Sequence, residues 1–294
     1  MLLEISSKSY VIKVNPEEGG RIETLSYTTK GKTIDLLKPK PANNYDQDRI
    51  PLYGSFVMVP FSNRLSQPNI VTSEGFLAVS KNWTPESCAI HGFGVTETWI
   101  PQEVRKDFCS LSTPLKTSEG RNVGISIQEF QVSEENGLVS RVGYCNDQFD
   151  WILAGLGFHP WFNLSGGEGK VEFVAGGKFE TDRRYMPTSF NELGNKEVLL
   201  SSRHNNGIDS CFGNWEGSAK LTLESLGADV TISSSANNLH VYINKDLDAI
   251  CAEPVSHVTN AMHDQRWNSI AGINKVKAGE TIWLDMSVNA LYNP

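Results

Sequence analysis

The chain has 294 residues, a net charge of −8 and a pI near 5.3, with 39% hydrophobic and 20% charged residues. That length is enough for a large core, and all-β chains often build one as a single unit, so one domain over residues 1–294 is expected. No Lys/Arg-rich block interleaved with aromatics occurs, which argues against a nucleic-acid partner and for an uncharged or weakly charged one.

The start, "MLLEISSKSYVIKV", lacks a basic region followed by a long apolar stretch and a small-residue cleavage site, and no run of about 18 apolar residues occurs anywhere. A cytoplasmic protein with no membrane partner is expected, by default a monomer or weak dimer. The cysteines, Cys88, Cys109, Cys145, Cys211 and Cys251, are odd in number and far apart. That suits buried structural thiols in a reducing compartment better than a disulfide framework. "NWT" at Asn82 and "NLS" at Asn163 match the glycosylation acceptor pattern, but without a secretion signal the match carries no weight.

Along the chain, the stretch from about Lys38 to Ile50, "KPKPANNYDQDRI", is the least periodic and predicts a long loop over one end of the fold. Period-2 alternation then recurs: Leu138, Val142 and Tyr144; Leu221 and Leu223; Val230 and Ile232; Leu239, Val241 and Ile243; and Ile282, Leu284, Met286 and Val288. These are half-buried strands. Between them stand turn signals such as "TTKGK", "EENG", "SGGEGK", "SLGAD" and "VKAGE". Almost nothing shows the helical period over a dozen residues, and no linker or fixed repeat divides the chain. The predicted class is all-β, a large antiparallel β-sandwich.

Several chemistries are set aside by spacing. There is no H-E-x-x-H and no C-x-x-C, and "GGEGK" at Gly166 lacks the leading glycine spacing and trailing Ser/Thr of a phosphate loop. No two histidines sit at i, i+2 or i, i+4, so no metal is expected and acid–base chemistry is favoured. Short polar stretches inside apolar surroundings remain. In "MVPFSNRLSQ", Asn63 and Arg64 either end a strand in a solvated turn or serve a site. In "AIHGFGVTETW", His91 precedes Gly92 and Gly94, which mark either a bulge or a close approach to the backbone. In "GLGFHPWFNLSGG", Pro160 biases His159 towards an extended backbone at an expected strand end, as a proton donor or as a core histidine. In "DAICAEPVSHVTNAM", Glu253 stands before Pro254 at an expected strand end, as a buried partner of an arginine or as a desolvated carboxylate raised towards general-base strength. Asp209 in "NGIDSCFGNW" is an acid among apolar residues, or an Asx-turn residue.

Taken together and in this order, "PFSNR", "HGF", "GFHPWFN", "DSCF" and "EPVSH" resemble the motifs of the aldose 1-epimerase (galactose mutarotase) family. The resemblance spans nearly the whole chain and implies a galactose mutarotase-like supersandwich. It also implies interconversion of the anomers of free hexoses by ring opening and reclosure, without a cofactor. By resemblance His159 donates a proton to the ring oxygen and Glu253 takes one from the anomeric hydroxyl. His91 would hydrogen-bond near the ring oxygen, while Arg64 and Asp209 would hold sugar hydroxyls with support from Asn63. Trp161 and Phe93 are candidates for an apolar wall. Trp161 stands where tyrosine is usual, and glycine follows "HGF", which bears on substrate preference more than on the reaction. Alternatives are a hexose-6-phosphate 1-epimerase, a non-catalytic sugar-binding protein on the same fold, and a glycoside hydrolase using Asp209 with Glu253. Arg183, Arg184 and Arg203 read as solvated turn charges, which favours the free hexose.

Overall fold

The structure is a computed structural model that describes residues 1–41, 52–83, 86 and 88–293. It bears out the all-β expectation. The N-terminal third contributes β1 (Leu3–Ser6), β2 (Tyr10–Asn15), β3 (Arg21–Thr29), β4 (Lys32–Asp35), β5 (Ser55–Met58), β6 (Asn69–Thr72) and β7 (Gly75–Ala78). The middle adds β8 (Ile100–Val104), β9 (Phe108–Lys116), β10 (Asn122–Ser133), β11 (Gly137–Cys145), β12 (Trp151–Ala154), β13 (Gly157–Asn163), β14 (Gly169–Thr181) and β15 (Pro187–Ser201). The rest holds β16 (Asp209–Leu223), β17 (Ala228–Ser234), β18 (Asn238–Asn244), β19 (Ala249–Val255), β20 (Asn274–Lys277) and β21 (Thr281–Tyr292). Among the described residues the one α-helix is the single turn α1, Asn268–Ala271. The loop expected over Lys38–Ile50 lies, from residue 42 on, outside the described residues.

Among the described residues every strand ladder is antiparallel, and the long strand β16 divides the sandwich. Its first half pairs with β18, whose neighbour β19 leads on through β13 to β5. Its second half pairs with β17, which leads through β21 and β11 to β10 and β9. The change of sheet falls between Gly213 and Ser218, where Gly217 has φ +80° and a Cβ would stand 2.8 Å from the Ser234 carbonyl oxygen. The hairpin of β14 and β15 runs alongside both halves of β16, and its tip extends past the sheet.

The alternating apolar residues meet between the layers: Leu239, Val241 and Ile243 of β18, Val230 and Ile232 of β17, and Leu284, Met286 and Val288 of β21 share one core. Phe158 and Phe162 of β13, with Ile250 and Ala252 of β19, enter the same core. The opposite faces of these two strands do not meet bulk water. They carry Trp161, Cys251 and Val255 into a second apolar cluster with Phe56, Met58 and Cys211. Strands buried on both faces read as continuous apolar runs, so the few polar residues they contain are held out of water.

Candidate active site

Cross-strand registers on the second face of this sheet line up the floor of a cleft. Cys211 of β16 faces His240 of β18, and His240 faces Glu253 of β19. The β13–β19 ladder, pinned at Gly157↔Val255 and Trp161↔Cys251, puts His159 opposite Glu253, and His159 in turn faces Phe56 of β5. Two residues further along, the next row reads Asp209, Tyr242, Cys251 and Trp161. His159 and Glu253 therefore stand in the middle of buried strands, which corrects the expected strand-end positions. Both strands carry a proline beside the polar residue, Pro160 and Pro254. Neither has an N–H to give, and the ladder is interrupted between Gly157 and Trp161. His159 Nε2 and Glu253 Oε1 meet across that interruption, 3.4 Å apart.

One wall comes from two loops zipped together. His91 N–H donates to the Asn63 carbonyl (3.0 Å), and Asn63 N–H donates to His91 Nδ1 (3.2 Å). Both residues adopt left-handed conformations, φ +56° at Asn63 and +59° at His91. The glycine question is answered beside them: Gly92 has φ +71°, and a Cβ there would stand 2.1 Å from the Val59 carbonyl oxygen, which accepts from the N–H groups of Phe93 and Gly94. Close backbone approach is the reason for the glycine. The side chain of Asn82, set aside as a glycosylation match, donates to the carbonyls of Ile90 and Gly92 and accepts from Ile90 N–H, so it fastens the His91 segment. His257 of "EPVSH" accepts from Ser62 N–H (3.2 Å) and donates from Nδ1 to the Val258 carbonyl (2.9 Å). It ties the end of β19 to the Asn63 loop.

The charges form a chain. Glu86 accepts two bonds from Arg64, at 2.8 and 2.7 Å. Arg64 Nη1 also donates to Asn63 Oδ1 (3.1 Å) and Asp209 Oδ2 (3.4 Å), and Asp209 Oδ1 meets His240 Nε2 at 2.6 Å. Burial works against both charged groups. The Glu86 bonds and the Asp209 charge nevertheless keep Arg64 cationic, while the His240 bond and Arg64 hold Asp209 below the ordinary carboxylate range.

The floor behaves in the opposite way. Burial, reinforced by the Asp209 charge, pushes Glu253 well above its ordinary value, and burial with His240 lowers His159 to about 3. Both shifts favour the uncharged forms of the facing pair, the carboxylic acid at Glu253 and the neutral imidazole at His159. His91 is held well below the usual histidine range by burial and by His159 and Arg64, so it is neutral. With its Nδ1 accepting from Asn63, the proton lies on Nε2, which makes His91 a neutral donor.

The cleft encloses about 240 Å³, below the roughly 300–1,000 Å³ of sites for drug-sized ligands. All six expected site residues line it: Asn63, Arg64, His91, His159, Asp209 and Glu253. Trp161 also lines it, its ring stacked on His159 at 5.0 Å and 10°. Phe93 does not. It packs against Phe61 in the inter-sheet core, because the close approach of Gly92 to Val59 turns the chain inward there. Sequence reading missed His240, Glu86, Trp83 and Tyr185. His240 was legible in principle, as the polar alternate of Leu239 and Val241. Tyr185 sits at the tip of the β14–β15 hairpin with its ring 4.3 Å from the Arg64 guanidinium carbon, a contact no local pattern foretells.

The fold is that of the galactose mutarotase-like proteins. A GalM/aldose epimerase homologue from Caenorhabditis elegans superposes with a TM-score of 0.82 over 100% of this chain and 99% of its own, at 16% identity. A candidate aldose 1-epimerase of Escherichia coli K12 gives 0.81 over 99% of both chains at 21% identity. A galactose mutarotase-like protein of Clostridium acetobutylicum gives 0.80 over 98% and 94% at 16%. Identities this low speak for the fold alone. The family is shown by sequence: the aldose 1-epimerase family model matches residues 1–289, and the chain belongs to that family.

Proposed function

We propose that the protein is an aldose 1-epimerase that interconverts the α and β anomers of an uncharged hexopyranose. The observation that carries this reading is the facing pair His159 and Glu253, 3.4 Å apart at the floor of a small cleft, where burial favours the uncharged form of each. Mutarotation needs a proton delivered to the ring oxygen and another removed from the anomeric hydroxyl, and positioned acids and bases contribute typically 10²–10⁴ each. Transfer of a proton from the Glu253 carboxylic acid to His159 gives an imidazolium for the ring oxygen and a carboxylate for the hydroxyl. His91 Nε2–H supports the ring oxygen, and Arg64 and Asp209 hold hydroxyls. After ring opening, rotation about C1–C2 and reversal of the two roles closes the other anomer. The indole N–H groups of Trp83 and Trp161, which border the cleft buried and without partners, suit a ligand rich in hydroxyls.

Charge favours the free sugar over its 6-phosphate. Among the described lining residues Arg64 alone is permanently cationic, and Glu86 and Asp209 both pair with it. A phosphate dianion calls for a cluster of cations or a backbone nest. Arg183 and Arg184 are exposed on the hairpin turn, Arg184 3.7 Å from Asp182, and Arg203 is bound to Glu168. Polarimetry of freshly dissolved α-D-glucose and α-D-galactose, alongside NMR anomer exchange of the 6-phosphates, tests the proposal. The expected result is faster relaxation with the protein and a higher kcat/KM for the free sugar. No acceleration at micromolar protein overturns the enzyme reading in favour of a sugar-binding protein, and a preference for the phosphate overturns the substrate.

A further inference from the structure

Cys251 occupies a position that the proposed reaction does not use. It lies two residues before Glu253 on β19, so the two side chains leave the same face of the strand. Its row neighbours Tyr242 and Trp161 meet edge to face at 5.9 Å, and the thiol between them is fully buried. One donor atom each from His159, Cys251 and Glu253 lies within 4.8 Å of the others. Cys251 and Glu253 share β19, whereas His159 is far away in sequence and is brought to them by the β13–β19 register.

A thiolate, an imidazole and a carboxylate make a mixed S, N, O set. Zinc and similar borderline-soft d-block cations take such sets, with bonds of about 2.0–2.3 Å, whereas calcium and magnesium favour oxygen alone. Donors around a tetrahedral ion at those lengths stand roughly 3.5 Å apart, so closure asks for about 1 Å shared among three side chains. His159 Nδ1 is buried without a hydrogen-bond partner, and the residue is 6% exposed. Because His159 and Glu253 border the cleft, a fourth position faces its interior, where a water or a sugar hydroxyl can complete the shell.

We propose that His159, Cys251 and Glu253 form an inhibitory binding site for a zinc-like divalent cation. The ion would occupy lone pairs on both groups to which proton transfer is assigned, so binding and anomer exchange exclude each other. The inhibitory half rests on the proposed function, and the binding half does not. The proton balance is fixed by the ligands. Cys251 binds as thiolate, His159 as neutral imidazole and Glu253 as carboxylate, so M–S, M–N and M–O bonds form as any proton on these donor atoms leaves to solvent, and affinity rises with pH.

Titration of the full chain with Co²⁺ tests this spectroscopically. The expected result is one ion per chain with a thiolate-to-cobalt charge-transfer band. The band disappears in Cys251→Ser or Cys251→Ala and persists in Cys211→Ser. Zn²⁺ should displace the cobalt and halt anomer exchange, EDTA should restore exchange, and Cys251→Ser should require at least about tenfold more Zn²⁺ for the same inhibition. Cobalt binding without a sulfur band, a band lost in Cys211→Ser instead, or equal zinc sensitivity in Cys251→Ser overturns the site. A sulfur band in a parent protein that shows no anomer exchange upholds the binding site and removes the proposed function.

Discussion

Two rows of ionisable side chains cross the two sheets, and the period of two builds both. On β10, β11 and β21 the row is Glu129, Arg141 and Asp285, each opposite the next. On β18, β19 and β13 it is His240, Glu253 and His159. The first row faces solvent: Arg141 donates to Glu129 at 2.9 Å, lies over the Trp283 ring and is 46% exposed. The second is covered by the Asn63 and His91 loops and the hairpin tip, and Glu253 is 2% exposed. Adjacency comes from strand register in both cases. What lies over the row decides whether adjacent charges become solvated ion pairs or a coupled proton pair.

The largest expected effect follows from breaking the covered row. Glu253→Gln and His159→Asn keep shape and hydrogen bonding but remove a proton carrier, so kcat should fall by about 10²–10⁴ while sugar binding survives. Anomer exchange with a separate binding measurement checks this, and near-parental kcat in either variant removes that residue's role. The same row fixes a pH signature. With His159 lowered to about 3, its imidazole followed by NMR should not titrate near the ordinary histidine pKa of about 6.5. Titration there would mean that the His159 ring meets water.

Next in size is the stability of the covered region towards acid. Burial lowers His257 to about 4 from an ordinary 6.5. The unfolded state therefore binds a proton that the folded state refuses, so stability is full above about pH 6.5 and falls as the pH drops towards 4. That loss is on the order of 3 kcal/mol for this one group. Urea midpoints measured from pH 7 to 4 should decline, and His257→Gln should flatten the slope. An unchanged slope would mean that His257 meets water.

How far the sequence foretold this difference depends on the kind of pattern. The alternation at Leu239, Val241 and Ile243 places one face of β18 in the core, and a period of two needs no tertiary knowledge. The adjacent His240 sits in the same segment, yet its pairing with Asp209 depends on how β16 meets β18. His159 and Glu253 were visible as polar residues in apolar runs. Their mid-strand placement was not, because Pro160 and Pro254 read locally as strand ends although burial on both faces keeps the strands going. Glu86 and Tyr185 reach Arg64 from loops, and His159 joins Cys251 and Glu253 only through the register of β13 on β19.

A smaller effect is expected at the hairpin tip that helps cover the row. The Asp182 carboxylate accepts from the N–H groups of Arg184 (2.8 Å) and Met186 (2.9 Å), and that turn holds Tyr185 at φ +63° with its ring over Arg64. A cation–π contact at a partly exposed site is worth about 0.5–1 kcal/mol. Tyr185→Ala should therefore raise KM roughly two- to fivefold with kcat unchanged, and Tyr185→Phe should restore it. Asp182→Ala should resemble Tyr185→Ala, since a non-glycine residue held left-handed depends on the turn around it. Steady-state kinetics on the three variants separates the ring from the turn.

The smallest effect tests the solvent-facing row, and the comparison depends on its being small. Glu129 and Arg141 have good geometry at 2.9 Å, but the side chains are 29% and 46% exposed, so water and salt screen the pair. Their coupling in a double-mutant cycle with Glu129→Gln and Arg141→Met should be below about 1 kcal/mol and should shrink further in high salt. Part of any loss in Arg141→Met belongs to its packing over Trp283 and should be insensitive to salt, because a stem lying on a ring buries apolar surface whatever its charge. Urea unfolding at low and high salt distinguishes the two contributions. A salt-resistant coupling of several kcal/mol would mean that the exposed row is as tightly held as the covered one. The contrast between the two sheets would then have to come from residue type, histidine and glutamate against arginine and glutamate, and not from what covers them.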